Sequence, residues 1–137
     1  MTAIDLGRLE LADAWIDDDE TARWRSASAH GPDSGARASG SSLLEVPPEC
    51  RLPRHTDSAE EVIVLVDGEA EVIVEGRPPE RLSAPGIALV PADAPHEVRN
   101  VGGSALRFLA LYAGTDVVTR YEAPVQPGGE RERKPLG

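Results

Sequence analysis

From residue 42 onward, short apolar runs alternate with glycine and proline, and each run is too short for a helix. Residues 42–46, 61–66, 69–74, 81–83, 87–90, 96–101 and 105–112 read as strands, rich in Val, Ile and Leu, with 117–121 as a further edge strand. Asp67-Gly68 between two apolar runs is a two-residue hairpin signal, because glycine takes positive φ at little cost. Gly76, Pro78 and Pro79 mark another turn, as do Pro85-Gly86 and Gly102-Gly103. Seven or eight short strands at this spacing predict an all-β sandwich or barrel.

The flanks read differently. The acidic run Asp17, Asp18, Asp19, Glu20 is expected to be a solvated turn, since it lacks the spaced ligands and glycine of a calcium loop. Residues 26–42, rich in Ser, Gly, Ala and Pro, read as a loop that carries His30 on the surface. Trp15 and Trp24 precede it with no strand of their own, so this arm is expected to pack on the barrel or on a partner subunit. Residues 123–137, with many breakers and charges, read as an extended tail.

Composition narrows the function classes. The 137 residues suit one domain, and 40% are hydrophobic against only 4% aromatic, so the core is aliphatic. The net charge of −10 excludes the basic face that nucleic acid requires, and opposes an anionic membrane. The single cysteine, Cys50, forbids an intramolecular disulfide and is expected to act as a small hydrophobe. The first ten residues lack the pattern of a signal peptide, and no apolar run approaches the roughly 20 residues of a membrane helix, so a cytoplasmic location is expected. Arginine so outnumbers lysine that a bacterial source with a GC-rich genome is expected.

The chemistry concentrates in residues 54–68, RHTDSAEEVIVLVDG. His55 and Asp57 are two apart and share a face of an extended strand, and Glu61 keeps their parity if the strand runs on without a bulge. His96 begins another strand after Pro95. Two imidazoles and one or two carboxylates on facing strands would form a metal site with open positions, of the kind that suits iron(II) or manganese(II).

These residues resemble the two motifs of the cupin superfamily. The first motif runs His-x-His, three or four residues, Glu, six residues, Gly, and here reads His55-Thr-Asp57, three residues, Glu61, six residues, Gly68. The second, Pro-x-Gly-x-x-His-x-x-x-Asn, here reads Pro91-Ala-Asp93-Ala-Pro-His96-Glu-Val-Arg-Asn100. The resemblance covers about residues 42–114 and implies a double-stranded antiparallel β-helix, or jelly-roll barrel. The chain then divides into an N-terminal arm and loop (1–41), the barrel (42–114), and an edge strand with an extended tail (115–137).

The resemblance implies that His55, Asp57, Glu61 and His96 hold one divalent metal ion per chain, with iron(II) or manganese(II) favoured and zinc or nickel admitted. Gly68 and Asn100 fall at structural positions, a turn and a strand-end hydrogen bond. Three departures stand out: Asp57 replaces the second histidine, Asp93 replaces the glycine of the second motif, and Glu49 lies where the first motif opens on glycine. Asp57 has three courses: to coordinate, to support a ligand histidine, or to leave a cavity that binds only an organic ligand. The implied function is a metal-dependent enzyme on a small organic molecule, of dioxygenase, isomerase, lyase or cyclase type, with Glu61 as base. The alternative is a non-catalytic small-molecule binder or sensor. Cys50, Arg54, Arg99 and Arg107 are read as surface or bystander residues in preference to cavity groups. Tyr112 is read as either a cavity donor or a core residue. A homodimer, pairing by its sheets, is the expected assembly.

Overall fold

A computed structural model describes residues 3–137, and it is almost entirely β. Among the described residues there are two short 3-10 turns, Leu6–Arg8 and Pro32–Ser34, and twelve strands: β1 (Ala12–Ile16), β2 (Asp19–His30), β3 (Gly40–Val46), β4 (Arg51–Asp57), β5 (Glu61–Asp67), β6 (Glu69–Val74), β7 (Glu80–Ser83), β8 (Gly86–Val90), β9 (His96–Asn100), β10 (Leu106–Tyr112), β11 (Thr119–Val125) and β12 (Glu130–Arg133). They form two antiparallel layers. One layer runs β1-β2-β3-β10-β5-β8, the other β7-β6-β9-β4-β11-β12, and a single parallel bridge, Ala22 to Arg51, joins β2 to β4. The fold is a jelly-roll barrel, as the motif resemblance implies.

The alternating pattern explains the layers. On β5, Glu61, Ile63 and Leu65 are buried and Val62 and Val64 are not; on β10, Leu106, Phe108, Ala110 and Tyr112 are the buried set. Side chains of alternate residues leave a strand on opposite faces, so these sets fill the space between the layers. Ile63, Leu65, Phe108, Val46, Val98 and Val125 are wholly buried there. Each such burial contributes about 1.5–3 kcal/mol. Asn100 ties the layers together: its amide donates to the Val46 carbonyl at 2.9 Å and the Ser104 carbonyl at 2.8 Å.

The Asp67-Gly68 turn is real but does not make a hairpin. β5 and β6 lie in different layers, because the turn carries the chain across the barrel. Gly68 has φ +90°, and a Cβ there would press on the Ala105 carbonyl oxygen. Both strands bury an alternating apolar set, so each must face the core from its own side.

The flanks are more ordered than their composition suggests. Residues 19–30, all of them expected in the N-terminal arm and loop, form β2, the longest strand, hydrogen-bonded to β3 in the same layer. Small residues hid its period: Ala22 and Trp24 point inward between exposed Arg23 and Arg25. The irregular stretch shrinks to residues 31–39, and the acidic run splits, with Asp17 and Asp18 in the turn and Asp19 opening β2. Nor is 123–137 a free tail. β11 extends to Val125, β12 pairs back on it, and Leu136 is buried. Leu136 sits against Gly40, where any Cβ would collide with it, and Ser42 Oγ donates to the Pro135 carbonyl at 3.0 Å.

The outer face of the first layer is aliphatic. Val62 lies between Leu89 and Leu111, and Val64 between Ile87 and Leu109. Ile87 is 70% exposed and Leu89 52%. An ion-paired row, Arg25, Glu45 and Arg107, borders this patch. Among the described residues no helix is long and apolar enough to cross a membrane.

Candidate metal centre

The four residues named from the motifs converge. His55 and Asp57 lie on β4, Glu61 opens β5, and His96 opens β9 opposite His55. Glu61 does not share a strand with the others. The chain leaves the second layer after Asp57, turns through 58–60 and enters the first layer, so Glu61 faces the pair from across the barrel. One ligand atom from each residue lies within 4.8 Å of all the others, and all four residues are buried.

The imidazoles are oriented by backbone. His55 Nδ1 lies 2.6 Å from the Pro53 carbonyl and His96 Nδ1 lies 2.8 Å from the Ala94 carbonyl. A carbonyl only accepts, so each Nδ1 carries a proton and donates it. Each Nε2 is thereby turned into the cluster, the arrangement that backbone or carboxylate partners impose on metal-ligating histidines. His96 Nε2 stands 3.0 Å from Glu61 Oε1 and 3.3 Å from Asp57 Oδ2, and His55 Nε2 stands 3.5 Å from Asp57 Oδ2. Thr119 Oγ1 on β11 donates to Asp57 Oδ1 at 2.6 Å, while the buried Asp57 Oδ2 has no hydrogen-bond donor.

Electrostatics follow from this crowding. Burial would raise the Asp57 carboxyl, but the His55 and His96 rings more than offset it and hold the group well below the carboxylate range. Burial pushes Glu61 up, and the hydrogen bond from His96 offsets this only in part. Burial opposes the charge on His96, yet Asp57 and Glu61 reverse that and lift its ring to about 10. Two carboxylates brought together out of water demand a cation. A proton on His96 supplies one charge, and a divalent ion in its place would match both carboxylates. An oxygen without a donor and two inward Nε2 atoms fit such an ion.

Three of the four, His55, Asp57 and Glu61, line a cavity of about 210 Å³, with His96 packed behind them. Trp24 and Tyr121, stacked with centroids 5.5 Å apart, form an aromatic wall, and Tyr121 also lies 5.2 Å from the His55 ring. Tyr112 lines the cavity beside Glu61; burial raises both tyrosines, and the site's carboxylates add to it. Motif reading did not find Trp24, Thr119, Tyr121 or Arg133, because they come from β2, β11 and β12, outside the motifs. Arg54, Arg99 and Arg107 pair with surface carboxylates, Cys50 lies away from the cavity, and His30 bonds to Ser39 and Ser41.

The motif departures have a local account. Asp93, with φ +64°, and Glu49, with φ +67°, both adopt the left-handed conformation that glycine takes most readily. The Asp93 N–H donates to the Asp57 carbonyl at 2.8 Å, so this strained turn fixes the end of β4 beside the cluster.

The described residues thus form a jelly-roll barrel with a buried His/Asp/Glu/His cluster in its interior. The chain belongs to the cupin family: the model of the cupin domain matches residues 42–112. No curated protein matches the sequence. Among solved structures, the Schizosaccharomyces pombe Cnp3 cupin domain is similar with a TM-score of 0.66 at 18% identity, over 82% of this chain and 74% of that one. The oxalate decarboxylase of Lactobacillus farciminis, in its formate complex, is similar with a TM-score of 0.64 at 20% identity, over 77% of this chain but only 31% of the other. The DMSP lyase DddQ of Ruegeria pomeroyi DSS-3 gives a TM-score of 0.61 at 25% identity, over 72% of this chain and 51% of the lyase. The chain thus spans about a third of the decarboxylase and half of the lyase.

Proposed function

We propose that this chain is a metal-dependent cupin enzyme acting on a small organic molecule, with His55, Asp57, Glu61 and His96 holding one divalent ion. The observation that carries the reading is the convergence of four buried donors, with both Nδ1 atoms committed to carbonyls and Asp57 Oδ2 left without a donor. Two carboxylates and two imidazoles favour iron(II) or manganese(II) over softer ions. When bound, such an ion supplies Lewis-acid polarisation of a ligand oxygen.

The residues have separable tasks. Thr119 holds the Asp57 carboxylate in one orientation. Glu61, raised by burial, is suited to take up a substrate proton at a carboxylate oxygen. Tyr112 offers a hydroxyl beside Glu61, and Trp24 with Tyr121 excludes water from one side. The chemistry fits proton transfer at a polarised carbonyl or carboxylate, as in isomerase, lyase or cyclase reactions, and dioxygenation is compatible with the same ligand set. A cytoplasmic setting accords with the single free cysteine.

A second reading has its own support. Asp57, Glu61 and a protonated His96 satisfy much of each other's charge without an ion, as a binder with a degenerate site would require. Metal content decides between them. Wild-type protein purified without a histidine tag is expected to carry close to one ion per chain by mass spectrometry, and Asp57→Ala to lose most of it. Saturating metal at about 100 times its dissociation constant should add about 2.7 kcal/mol of stability. Wild type that remains empty after reconstitution, with no rise in melting temperature, would favour the binder.

We also propose a homodimer through the outer aliphatic face of the first layer. Five strands, β2-β3-β10-β5-β8, at about 4.8 Å spacing and about 3.4 Å per residue give roughly 24 Å by 24 Å before side-chain relief. That flat footprint, about 580 Å², falls below the roughly 800 Å² per partner of a standard interface, so side-chain relief must supply the rest. A second copy suits it because the patch is aliphatic and carries its own paired ionic border. Light scattering is expected to give a dimer for wild type and a monomer for Ile87→Arg with Leu89→Arg; a monomeric wild type sinks the proposal.

A further inference from the structure

Arg133 closes β12 and stands directly across from Thr119 of β11. Opposed residues of an antiparallel pair project to the same face. Thr119 faces inward and bonds to Asp57, so Arg133 also projects over the cavity, which it lines. Its side chain is only 27% exposed.

The guanidinium is poorly partnered for so buried a group. Its Nε is enclosed and makes no hydrogen bond, and the nearest carboxylate oxygen, of Glu130, is 3.7 Å away. Nη2 reaches only the Val125 and Gln126 carbonyls, each at 3.4 Å. By contrast, Arg51 and Arg54 hold carboxylates at 2.8 Å and 2.7 Å. The chain has 24 acidic residues against 14 basic ones, yet none of the acids is hydrogen-bonded to this cation. A guanidinium presents a planar fork of donors matched to a carboxylate.

We propose that the cavity takes a small organic carboxylate, with its acid group held by Arg133 and its body reaching inward toward His55, Asp57, Glu61 and His96. The inference rests on the reading of this cavity as the substrate site. Charge supports it: Asp57 and Glu61 match a divalent ion between them, so positive charge for an incoming anion comes from Arg133. One enclosed cation suits a monoanion; Lys134 is largely exposed and pairs with Asp116. Volume supports it too, since about 210 Å³ equals about seven waters at roughly 30 Å³ each, the size of a small aromatic or branched acid. Leu44, Leu52 and Trp24 would cover the apolar body, and Ser26 and Ser28 offer hydroxyls in the same cavity.

The test compares benzoate with benzamide, a neutral molecule of nearly the same shape, on manganese-reconstituted protein. Trp24 lies in the cavity wall, so calorimetry and tryptophan fluorescence both report binding. Wild type is expected to prefer benzoate by about tenfold or more. Arg133→Gln should abolish the preference with metal content and circular dichroism unchanged, and Arg133→Lys should restore part of it. Equal binding of the two probes by wild type, no binding of benzoate, or a preference retained in Arg133→Gln overturns the proposal. Metal-loaded wild type without the preference leaves the metal-enzyme reading standing. Wild type that takes up no metal yet prefers benzoate through Arg133 overturns that reading and keeps the carboxylate site.

Discussion

His96→Ala is expected to lower metal affinity by at least about 100-fold while the β-type circular dichroism persists. Loss of groups that merely orient a metal ligand costs about 10–100-fold, and a ligand itself should cost no less. His96 is the residue through which the cluster is knit, since its Nε2 faces both Glu61 and Asp57. Its removal leaves two buried carboxylates without the ring between them. Folding should survive because β9 is held independently, by Val98 in the core and by Asn100 bonded to the Val46 and Ser104 carbonyls. Metal content by mass spectrometry and a dichroism spectrum on the same sample check it. A His96→Ala protein that keeps its full complement of metal refutes the ligand assignment.

Phe108→Ala is expected to destabilise the protein by about 3–5 kcal/mol. Phe108 is the largest fully buried side chain, on the central strand β10 between β3 and β5. Its neighbours are themselves pinned by two layers of hydrogen bonds, so the cavity left behind cannot readily collapse. For a chain of this length the melting temperature should fall by about 10–15 °C. The folded fraction should still bind metal, because the ligands come from β4, β5 and β9. Thermal denaturation of the metal-free protein measures the effect; a loss below about 1 kcal/mol would mean the core repacks around position 108.

The two predictions divide along a line also visible in the sequence. The strands were legible because β5, β6 and β10 are short runs rich in Val, Ile and Leu, each closed by a glycine turn, and such runs mark strands whatever their arrangement. β2 was not, because Ala22, Ser26 and Ala27 bury too little apolar surface to mark a face. The same limit hid residues 123–137, where one leucine, Leu136, docks by virtue of a glycine nearly a hundred positions earlier.

For the site, the spacing of His55, Asp57, Glu61 and His96 named the four donors, and the family motif told which positions to trust. The sequence by itself marked most of the strands, the turns and the motif residues His55, Asp57, Glu61 and His96, since apolar runs, glycine and proline and motif spacing are all local signals. Only the tertiary structure decided that Asp67-Gly68 crosses between layers, that Glu61 meets His96 from the opposite layer, and that Thr119, Tyr121 and Arg133 complete the cavity. The physical reason is that each depends on which strands pair, and pairing is set by burying every inward face at once.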